Sequence, residues 1–321
     1  SVPNHPTCAN PMNPLRWIAR IAPALALIAG LSPAKSATFP LPGPGDTVVG
    51  RMLPIELSHE DTLVDIARRY SIGYQEIRRA NPGLDPWLPG EGRAALLPTR
   101  FILPVAPWKG IVLNVAEMRL YYFPASAAGE EPEVVTDPVS IGRMDWNTPL
   151  GKTTVVRKAK NPTWTPPASI RREHAAEGDI LPSVVPAGPD NPLGQRAIYL
   201  GRSGYLIHGT NKPYGIGMRV THGCVRLYPE DIEALFEQVP VGTPVNIINQ
   251  PYKAGWQGDT FYVEAHAVMD ENDFPLPPDL IVLRQVITEA AGDRIGAIDW
   301  SDVESIAYES AGIPIPLTLE R

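Results

Sequence analysis

Cys224 and His222 have the residue types and the spacing that best suit covalent chemistry. They lie in the segment Thr221-His222-Gly223-Cys224-Val225-Arg226-Leu227. A thiol becomes a strong nucleophile once it is deprotonated, and a neighbouring imidazole can take that proton and hold the thiolate as an ion pair. Residues 222 and 224 of an extended chain point the same way. We therefore predict that Cys224 is a nucleophile and that His222 is its base.

His208 is the second histidine of this candidate constellation. It ends the β-type run Tyr205-Leu206-Ile207 and precedes Gly209 and Thr210, which indicate the start of a loop at a sheet edge. Backbone amides at a glycine-containing turn can also bind an oxyanion, and Gly223 and Cys224 supply such amides. These residues form a plausible constellation for nucleophilic catalysis by a cysteine.

A zinc site is the first alternative for the same residues. His208, His222 and Cys224 could supply three ligands and leave one open position, as in catalytic zinc sites. No Cys-x-x-Cys or His-Glu-x-x-His motif accompanies them, which disfavours this alternative. His59, His174 and His266 lie outside the motif and are interpreted as structural.

The first 37 residues have the pattern of an export signal, with Met12 as the expected start. Arg16 and Arg20 precede the apolar run 21–31, and small residues follow it. The run is shorter than the ~20 residues of a membrane-spanning helix. Cys8 precedes the run, so Cys224 would be the single cysteine of an exported chain, without a disulfide partner. The sequence thus predicts a periplasmic or extracellular location.

Composition restricts the class of protein further. The chain has a net charge of −7, and removing the three cationic residues of the predicted leader leaves −10. Such an acidic chain is poorly suited to bind nucleic acid or anionic membrane surfaces. Its 37 Pro and 27 Gly residues favour a loop-rich, mainly β fold.

Residues 38–46 are predicted to be a Pro/Gly linker, and residues 47–104 a small unit with the order strand, helix, helix, strand. Thr62 and Asp65 have the spacing of a helix N-cap, and a second helix is expected over Tyr74–Ala80. This order, with Asp61-Thr62-Leu63 through Asn81-Pro82, resembles a LysM module. That resemblance implies binding of glycans that contain N-acetylglucosamine.

Many short β-type runs follow over residues 105–269, which predicts a β-sandwich or barrel-like domain. One short helix is expected over Pro229–Gln238. Residues 270–321 are predicted to be an accessory α/β extension. Its expected elements are an amphipathic helix over Asp279–Ala291, a second helix over Ser301–Ser310 and a final strand over Ile313–Leu319.

The central segments resemble the active-site signature of the L,D-transpeptidases with a YkuD-type catalytic domain, most nearly the periplasmic ErfK/YbiS type. Ile207-His208-Gly209-Thr210, a ten-residue spacer and the segment 221–227 carry the resemblance. Further matching segments are Ile141-Gly142-Arg143, Thr148-Pro149-Leu150-Gly151 and Asn161–Pro167. The resemblance implies that Cys224 attacks a peptidoglycan tetrapeptide stem, that D-Ala leaves, and that an amine acceptor resolves the thioester without a cofactor.

The resemblance also implies roles for individual residues. His222 would be the base, oriented by the Thr221 carbonyl, and His208 a second proton donor and acceptor. The amides of Gly223 and Cys224 would stabilise the oxyanion. Arg226 would bind a substrate carboxylate, with a structural ion pair as the alternative. The other expected substrate-binding residues are Tyr205, Gly209, Thr210 and Arg219.

The expected partners are peptidoglycan, as both donor stem and amine acceptor, and an outer-membrane lipoprotein as another acceptor; the chain is expected to be a monomer. Two other functions use the same features. A LysM wall-binding protein would use the β domain only as a scaffold, and a hydrolase would let water resolve the acyl-enzyme. Thiol alkylation separates the first from an enzyme, and the fate of the thioester separates the second from a transferase.

Overall fold

The computed structural model describes residues 36–127, 129–143, 147–272 and 274–319. The predicted leader lies outside these residues except for Ser36 and Ala37. None of the helices in the described segments combines the length and apolarity needed to cross a bilayer.

The described residues are mainly β, as predicted. The strands are β1 (Ala37–Pro40), β2 (Val48–Glu56), β3 (Ala94–Ile102), β4 (Gly110–Asn114), β5 (Arg119–Phe123), β6 (Glu133–Pro138), β7 (Ile141–Gly142), β8 (Gly151–Lys160), β9 (Arg196–Leu200), β10 (Leu206–His208), β11 (Arg219–Thr221), β12 (Val225–Arg226), β13 (Pro244–Ile248), β14 (Tyr252–Gln257), β15 (Thr260–Ala265) and β16 (Ile315–Pro316). The α-helices are α1 (Leu63–Arg69), α2 (Tyr74–Ala80), α3 (Ala168–Ala176), α4 (Pro229–Gln238), α5 (Leu280–Ala291) and α6 (Val303–Glu309), and short 3₁₀ helices cover Pro213–Gly215 and Gly292–Ala297.

The N-terminal unit has the predicted order β2, α1, α2, β3. The Thr62 hydroxyl accepts a 3.0 Å hydrogen bond from the Asp65 amide, which caps α1 as expected. Strands β2 and β3 pair antiparallel along their whole length, and both helices pack on them through Leu63, Ile66 and Ile77, all fully buried. The unit therefore has its own apolar core.

The catalytic part is the domain predicted over residues 105–269. A sheet with the strand order β1-β6-β5-β4-β13-β8-β9-β10-β12 takes all its strands except β1 from this part. Its apolar face packs against α4 through Ile232, Leu235 and Phe236. Pro229 begins α4, where its missing N–H costs no hydrogen bond. At the far end of the sheet β10 pairs with β12 in parallel, which brings the segments of His208 and Cys224 side by side.

The segment expected to be a linker over 38–46 begins as an edge strand instead. Residues 37–40 form β1, which pairs antiparallel with β6. Phe39 makes an edge-on contact with Phe101, with ring centroids 5.9 Å apart. Without β1, strand β6 would be the edge of the sheet and its outer backbone groups would lack partners; β1 supplies them. The Pro and Gly residues that follow β1 made the whole segment look like a linker in the sequence.

The accessory extension begins earlier than the predicted residue 270. The hairpin of β14 and β15 packs on α5 and α6. Trp256 and Phe261 of the hairpin share one buried cluster with Leu283, Ile287 and Ile306 of the two helices. The apolar stripe of α5 needs a partner surface, and the hairpin provides it. The final strand is also shorter than expected, since β16 covers only residues 315 and 316.

Lys253 lies at the centre of a buried ionic network between the three parts of the chain. Its Nζ donates to Glu117 Oε2 at 2.6 Å and to the Ile102 carbonyl at 2.7 Å, and lies 3.2 Å from Glu264 Oε1. His266 Nε2 lies 2.6 Å from the same Glu264 oxygen. Burial opposes the charge of Lys253, but Glu117 and Glu264 outweigh it and raise the pKa of the ammonium group. The buried groups can remain charged because Lys253 pairs with both glutamates.

Two buried acids meet where the N-terminal unit packs on the catalytic part. Asp137 lies on β6 and Asp231 on α4, and the Ser71 hydroxyl donates to Asp231 Oδ2 at 2.8 Å. Burial raises the pKa of Asp137 to about 7, against the opposing effects of Ser36 and Arg119. Burial and the neighbouring Asp137 also raise the pKa of Asp231.

Replacing Asp137 by Asn is expected to raise the melting temperature at pH 8 and to leave it nearly unchanged at pH 4. The wild-type carboxyl has an ordinary pKa of 3.8 when unfolded and about 7 when folded. The unfolded state therefore binds fewer protons, and stability falls as pH rises between these values. Thermal unfolding at both pH values measures the effect, with the exposed Asp259→Asn as control. A larger gain at pH 4 than at pH 8 would contradict this origin.

Candidate active site

The β10–β12 pair sets the geometry of the candidate site. Ile207 aligns with Val225, and His208 aligns with Arg226. Ile207 and Val225 are buried in the main core. Because side chains alternate along a strand, His208 and Arg226 lie on the opposite face, and Cys224, two residues before Arg226, falls on the same side.

His208 is buried and held in one tautomer. Its Nδ1 lies 2.7 Å from the Gly209 carbonyl oxygen. A carbonyl only accepts, so Nδ1 carries the proton and Nε2 is left as an acceptor. Burial, followed by the charge of Arg226, lowers the pKa of His208 to about 3. The resting imidazole is therefore neutral.

Cys224 is half-buried immediately before β12, and its Sγ lies 3.6 Å from the Gly204 carbonyl oxygen. Burial raises the pKa of the thiol, and the Leu206 amide and the Arg226 charge only partly oppose this. The resting group is therefore a thiol. A resting thiol differs from the thiolate, paired with His222, that the sequence suggested.

The turn before Cys224 is fixed by hydroxyl groups. The Thr221 hydroxyl donates to the Cys224 carbonyl at 2.6 Å, and the Thr148 hydroxyl donates to the Gly223 carbonyl at 3.0 Å. Gly223 has φ of +96°, a conformation that favours glycine. Within the described residues, neither the Gly223 nor the Cys224 amide donates to a protein acceptor. Both amides remain available to bind an oxyanion.

His222 points away from the extended-chain arrangement that we predicted. The positive φ of Gly223 interrupts the alternation between residues 222 and 224. His222 Nε2 lies 2.9 Å from Glu173 Oε2 on α3, and the other carboxylate oxygen accepts from Arg143 at 2.7 Å. Hydrogen bonds from Arg143 and then His222 lower the pKa of Glu173. The Thr221 carbonyl, expected to orient His222, accepts the Arg143 amide at 2.9 Å.

Glu173 is a site residue that the sequence did not reveal. It lies in the charged run Arg171-Arg172-Glu173-His174, which carries no helix or motif signal. Arg143 and Thr148 belong to segments that carried the family resemblance, so the sequence could have indicated them as site residues.

Arg226 is a partly buried guanidinium without a carboxylate partner among the described residues. Its Nε is buried and has no hydrogen-bond acceptor there. Burial lowers its pKa, while Cys224 has the opposite effect. The structural ion pair that we considered for Arg226 is absent from the described contacts. A buried cation of this kind is suited to bind an anionic group that arrives with a ligand.

The remaining predicted binding residues have identifiable contacts in the protein. Tyr205 packs partly against the core, and Gly209 accepts the His208 ring N–H. The Thr210 hydroxyl accepts from the Lys212 amide at 2.9 Å, which forms a local turn. Arg219 lies on β11 and donates to the Val115 carbonyl at 3.4 Å. A ligand role for these four residues remains a prediction.

A half-open cavity of about 370 Å³ lies beside the turn that precedes Cys224. The Thr148 side chain links the two, because it lines the cavity and also holds the Gly223 carbonyl. One wall comes from the segment after β15. Lining residues include Val115, Ile141, Thr148, Arg219, Ala267 and Met269.

The three residues of the zinc alternative are not gathered into a ligand cluster. Among the described residues, the group whose ligand atoms lie within 4.8 Å of one another is Glu117, Glu264 and His266. The Lys253 ammonium already pairs with both of its carboxylates. His59 lies 3.6 Å from Glu91 on the surface.

Comparison with known proteins identifies the family. Residues 109–247 match YkuD, the L,D-transpeptidase catalytic domain, and residues 59–86 match the LysM domain. The relative "Probable L,D-transpeptidase YbiS" of Escherichia coli (strain K12) is 46% identical over 249 residues, 76% of this chain and 80% of its own length. "Probable L,D-transpeptidase YcfS" of the same strain is 43% identical over 286 residues, 86% of this chain and 88% of its own length.

Similarity to solved structures is more distant. L,D-transpeptidase 3 from Mycobacterium tuberculosis is 21% identical, with a TM-score of 0.31, over 48% of this chain and 66% of that one. The curated relatives decide the assignment, because they match most of both chains. The chain belongs to the L,D-transpeptidase family that carries the YkuD catalytic domain, and it also carries a LysM domain.

Proposed function

We propose that the chain acts on peptidoglycan through a Cys224 thioester. The donor is a tetrapeptide stem, and the carbonyl attacked belongs to its third, diaminoacyl residue. The observation that carries this proposal is the common face of β10 and β12. Cys224, His208 and Arg226 lie there together, and the buried Nε of Arg226 has no acceptor among the described residues. The family and the LysM match both favour a cell-wall substrate.

His208 is the base in this proposal, in place of the His222 that the sequence suggested. Its Nε2 is an acceptor, and the Gly209 carbonyl keeps it so. As the Cys224 sulfur bonds to the carbonyl carbon, the thiol proton passes to Nε2. The C–N bond to D-Ala then breaks, and the same proton passes to the leaving nitrogen.

Substrate binding makes His208 a stronger base. The charge of Arg226 is the second cause that depresses the pKa of His208, after burial. A substrate carboxylate on Arg226 neutralises that charge, so protonation of the imidazole becomes easier when the donor is bound. The resting enzyme, with both groups neutral, is thereby protected from side reactions of a permanent thiolate.

The Gly223 and Cys224 amides stabilise the tetrahedral oxyanion. Their carbonyls are held by Thr148 and Thr221, so the turn is pre-organised before the charge develops. His222 supports this turn from outside through Glu173 and Arg143. It therefore positions the loop and does not accept the thiol proton.

An amine resolves the thioester, and its identity separates two products. The side-chain amine of another stem gives a 3→3 crosslink, and the lysine amine of a lipoprotein attaches that protein to the wall. In both cases the amine attacks the thioester carbon, loses a proton to His208, and that proton returns to the departing sulfur.

The location follows from the substrate. The leader pattern over 1–37 and the acidic remainder support export to the periplasm of a Gram-negative envelope. The LysM unit would hold the enzyme on glycan strands, and the catalytic part would act on the attached stems as a monomer.

Arg226→Gln is expected to lower kcat/KM for the donor about 10- to 100-fold, because a hydrogen bond to a charged group is worth roughly 1.5–3 kcal/mol. The loss should shrink when the donor carboxylates are converted to amides, since those donors no longer need the guanidinium. Steady-state D-Ala release measures both. Arg157→Gln, which removes an exposed arginine of β8, is the control. An equal loss with acid and amide donors would contradict carboxylate binding.

Intact-protein mass spectrometry tests the function as a whole. Wild-type enzyme mixed with a disaccharide-tetrapeptide should gain the donor mass minus D-Ala. Digestion after Arg219 and Arg226 places the modification in the peptide 220–226, which contains Cys224. Candidate amines added afterwards identify the acceptor. If the protein is folded but shows neither an adduct nor D-Ala release, the proposal is wrong. The remaining function is then binding to the cell wall through the LysM unit.

A further inference from the structure

The loop between His208 and His222 is anchored by the LysM unit. Residues 211–220 connect β10 to the turn that carries Cys224. The Tyr74 amide, at the first residue of α2, donates to the Ile216 carbonyl at 2.9 Å. Ile216 itself is fully buried. The middle of an active-site loop is therefore held by a different module.

The contact continues through two glycines: Gly217 has no space for a side chain, and a side chain on Gly73 would be tightly packed. A Cβ on Gly217 would lie 2.5 Å from the Gly73 Cα and 2.6 Å from the Tyr74 nitrogen. A Cβ on Gly73 would lie 3.1 Å from the Gly217 Cα. Gly217 has φ of +86°, which also favours glycine. The two backbones touch directly, so a shift of α2 must move the loop.

The loop transmits this position to the nucleophile over a few residues. Ser140 donates to the Gly215 carbonyl at 2.5 Å, and the Ile141 amide to the Met218 carbonyl at 3.2 Å. Strand β11 follows at once and ends at Thr221, whose hydroxyl holds the Cys224 carbonyl. The backbone between the LysM contact at Ile216 and the Cys224 sulfur is therefore held by hydrogen bonds along most of its length.

The LysM unit is docked firmly enough to act as a fixed support. Arg68 makes two hydrogen bonds with Glu230 of α4, at 2.8 and 3.1 Å. Buried Arg119 binds both oxygens of Glu76 at 2.8 and 2.7 Å, and the Tyr228 hydroxyl donates to the Ile72 carbonyl at 3.1 Å. These contacts surround the Gly73–Gly217 contact.

We propose that the start of α2, Gly73 and Tyr74, is a positioning element for the acylation of Cys224. The LysM unit thus completes the active site in addition to any glycan binding. This inference rests on the proposed function, since acylation is the step affected. Misplacing a reacting group by about 1 Å can cost 100-fold in rate, so a small displacement of the loop has a measurable effect.

The test adds side-chain atoms on the LysM side only. Gly73→Ala and Gly73→Val place atoms against Gly217, and φ of −74° at Gly73 suits both residues. Gly83→Ala and Gly83→Val are matched controls in the same unit, where a Cβ meets nothing within 4 Å. The donor is a free tetrapeptide without sugar, so loss of glycan binding has no influence. Hydrogen exchange of residues 211–224 gives a readout that is independent of activity.

The expected result is a fall in kcat of about 3-fold for Gly73→Ala and more than 10-fold for Gly73→Val, within the range that misplacement causes. KM should change less than twofold, and exchange in residues 211–224 should become faster. The Gly83 variants should match wild type. If Gly73→Val does not fold, Gly217→Ala replaces it, with Gly242→Ala as control because Gly242 has a similar φ of +92° in open space.

Two outcomes separate this inference from the proposed function. Folded Gly73 variants with wild-type kcat and wild-type exchange overturn the positioning role. A wild-type enzyme that is not acylated overturns the proposed function, while faster exchange in the Gly73 variants alone still supports the link between α2 and the loop.

Discussion

A chain with Ala in place of Cys224 is expected to form no acyl-enzyme and to lose D-Ala release by about 10⁴-fold or more, as when the nucleophile of a covalent enzyme is removed. The half-buried thiol contacts the Gly204 carbonyl and the Leu206 amide, and loss of these weak contacts should leave the fold intact. Intact mass and D-Ala release measure the effect, and thermal unfolding checks the fold. Cys224→Ser should fail as well, because a hydroxyl gives up its proton far less readily than a thiol.

The same experiment gives a pH dependence for the wild-type thiol. Burial raises the pKa of Cys224, so the rate of iodoacetamide alkylation should still be rising above the ordinary thiol pKa of ~8.5. A preformed thiolate would instead give a plateau near neutral pH. Cys224→Ala, which lacks the thiol, is the control for the labelling site and should take up no label. If the Cys224→Ala variant releases D-Ala at more than a trace of the wild-type rate, Cys224 is not the nucleophile.

His208→Gln is expected to lower the rate of acylation by about 10²–10⁴-fold, the usual contribution of a general base. The glutamine amide can still donate to the Gly209 carbonyl, but it cannot accept the thiol proton. Single-turnover mass spectrometry of the acyl-enzyme measures the rate separately from the later transfer. Binding of the donor should change little, because the substitution keeps the shape of the site.

His222→Gln is the matched comparison that decides between the two histidines. A glutamine can still donate to Glu173, so the proposal expects a loss well below that of His208→Gln. If His222→Gln abolishes acylation and His208→Gln does not, His222 is the base, as the sequence hypothesis held. Both variants need thermal unfolding curves, since His208 is buried.

Sequence patterns predicted the elements with strong local signals. The cap at Thr62 and the helices over Tyr74–Ala80 and Pro229–Gln238 are confirmed. Each depends on neighbours within a few residues. The predicted role of Cys224 stays untested, although its contacts are consistent with the proposal.

Features that depend on distant contacts were not predictable in the same way. The strand β1 exists because β6 offers an edge about 95 residues away in sequence. The helix α3 and its Glu173 lie in a charged run without a periodic pattern. The direction of His222 depends on one torsion angle, the positive φ of Gly223, which no spacing rule reports.

The contacts of Lys253 make the three parts of this chain depend on one another in evolution. Its ammonium group belongs to the C-terminal extension, one counter-ion, Glu117, to the catalytic part, and one carbonyl ligand, Ile102, to the LysM unit. Exchange of any one part by recombination would leave a buried ion without its partner, which is strongly destabilising. We therefore expect the three parts to be inherited together, although each of them resembles a module that could be exchanged separately.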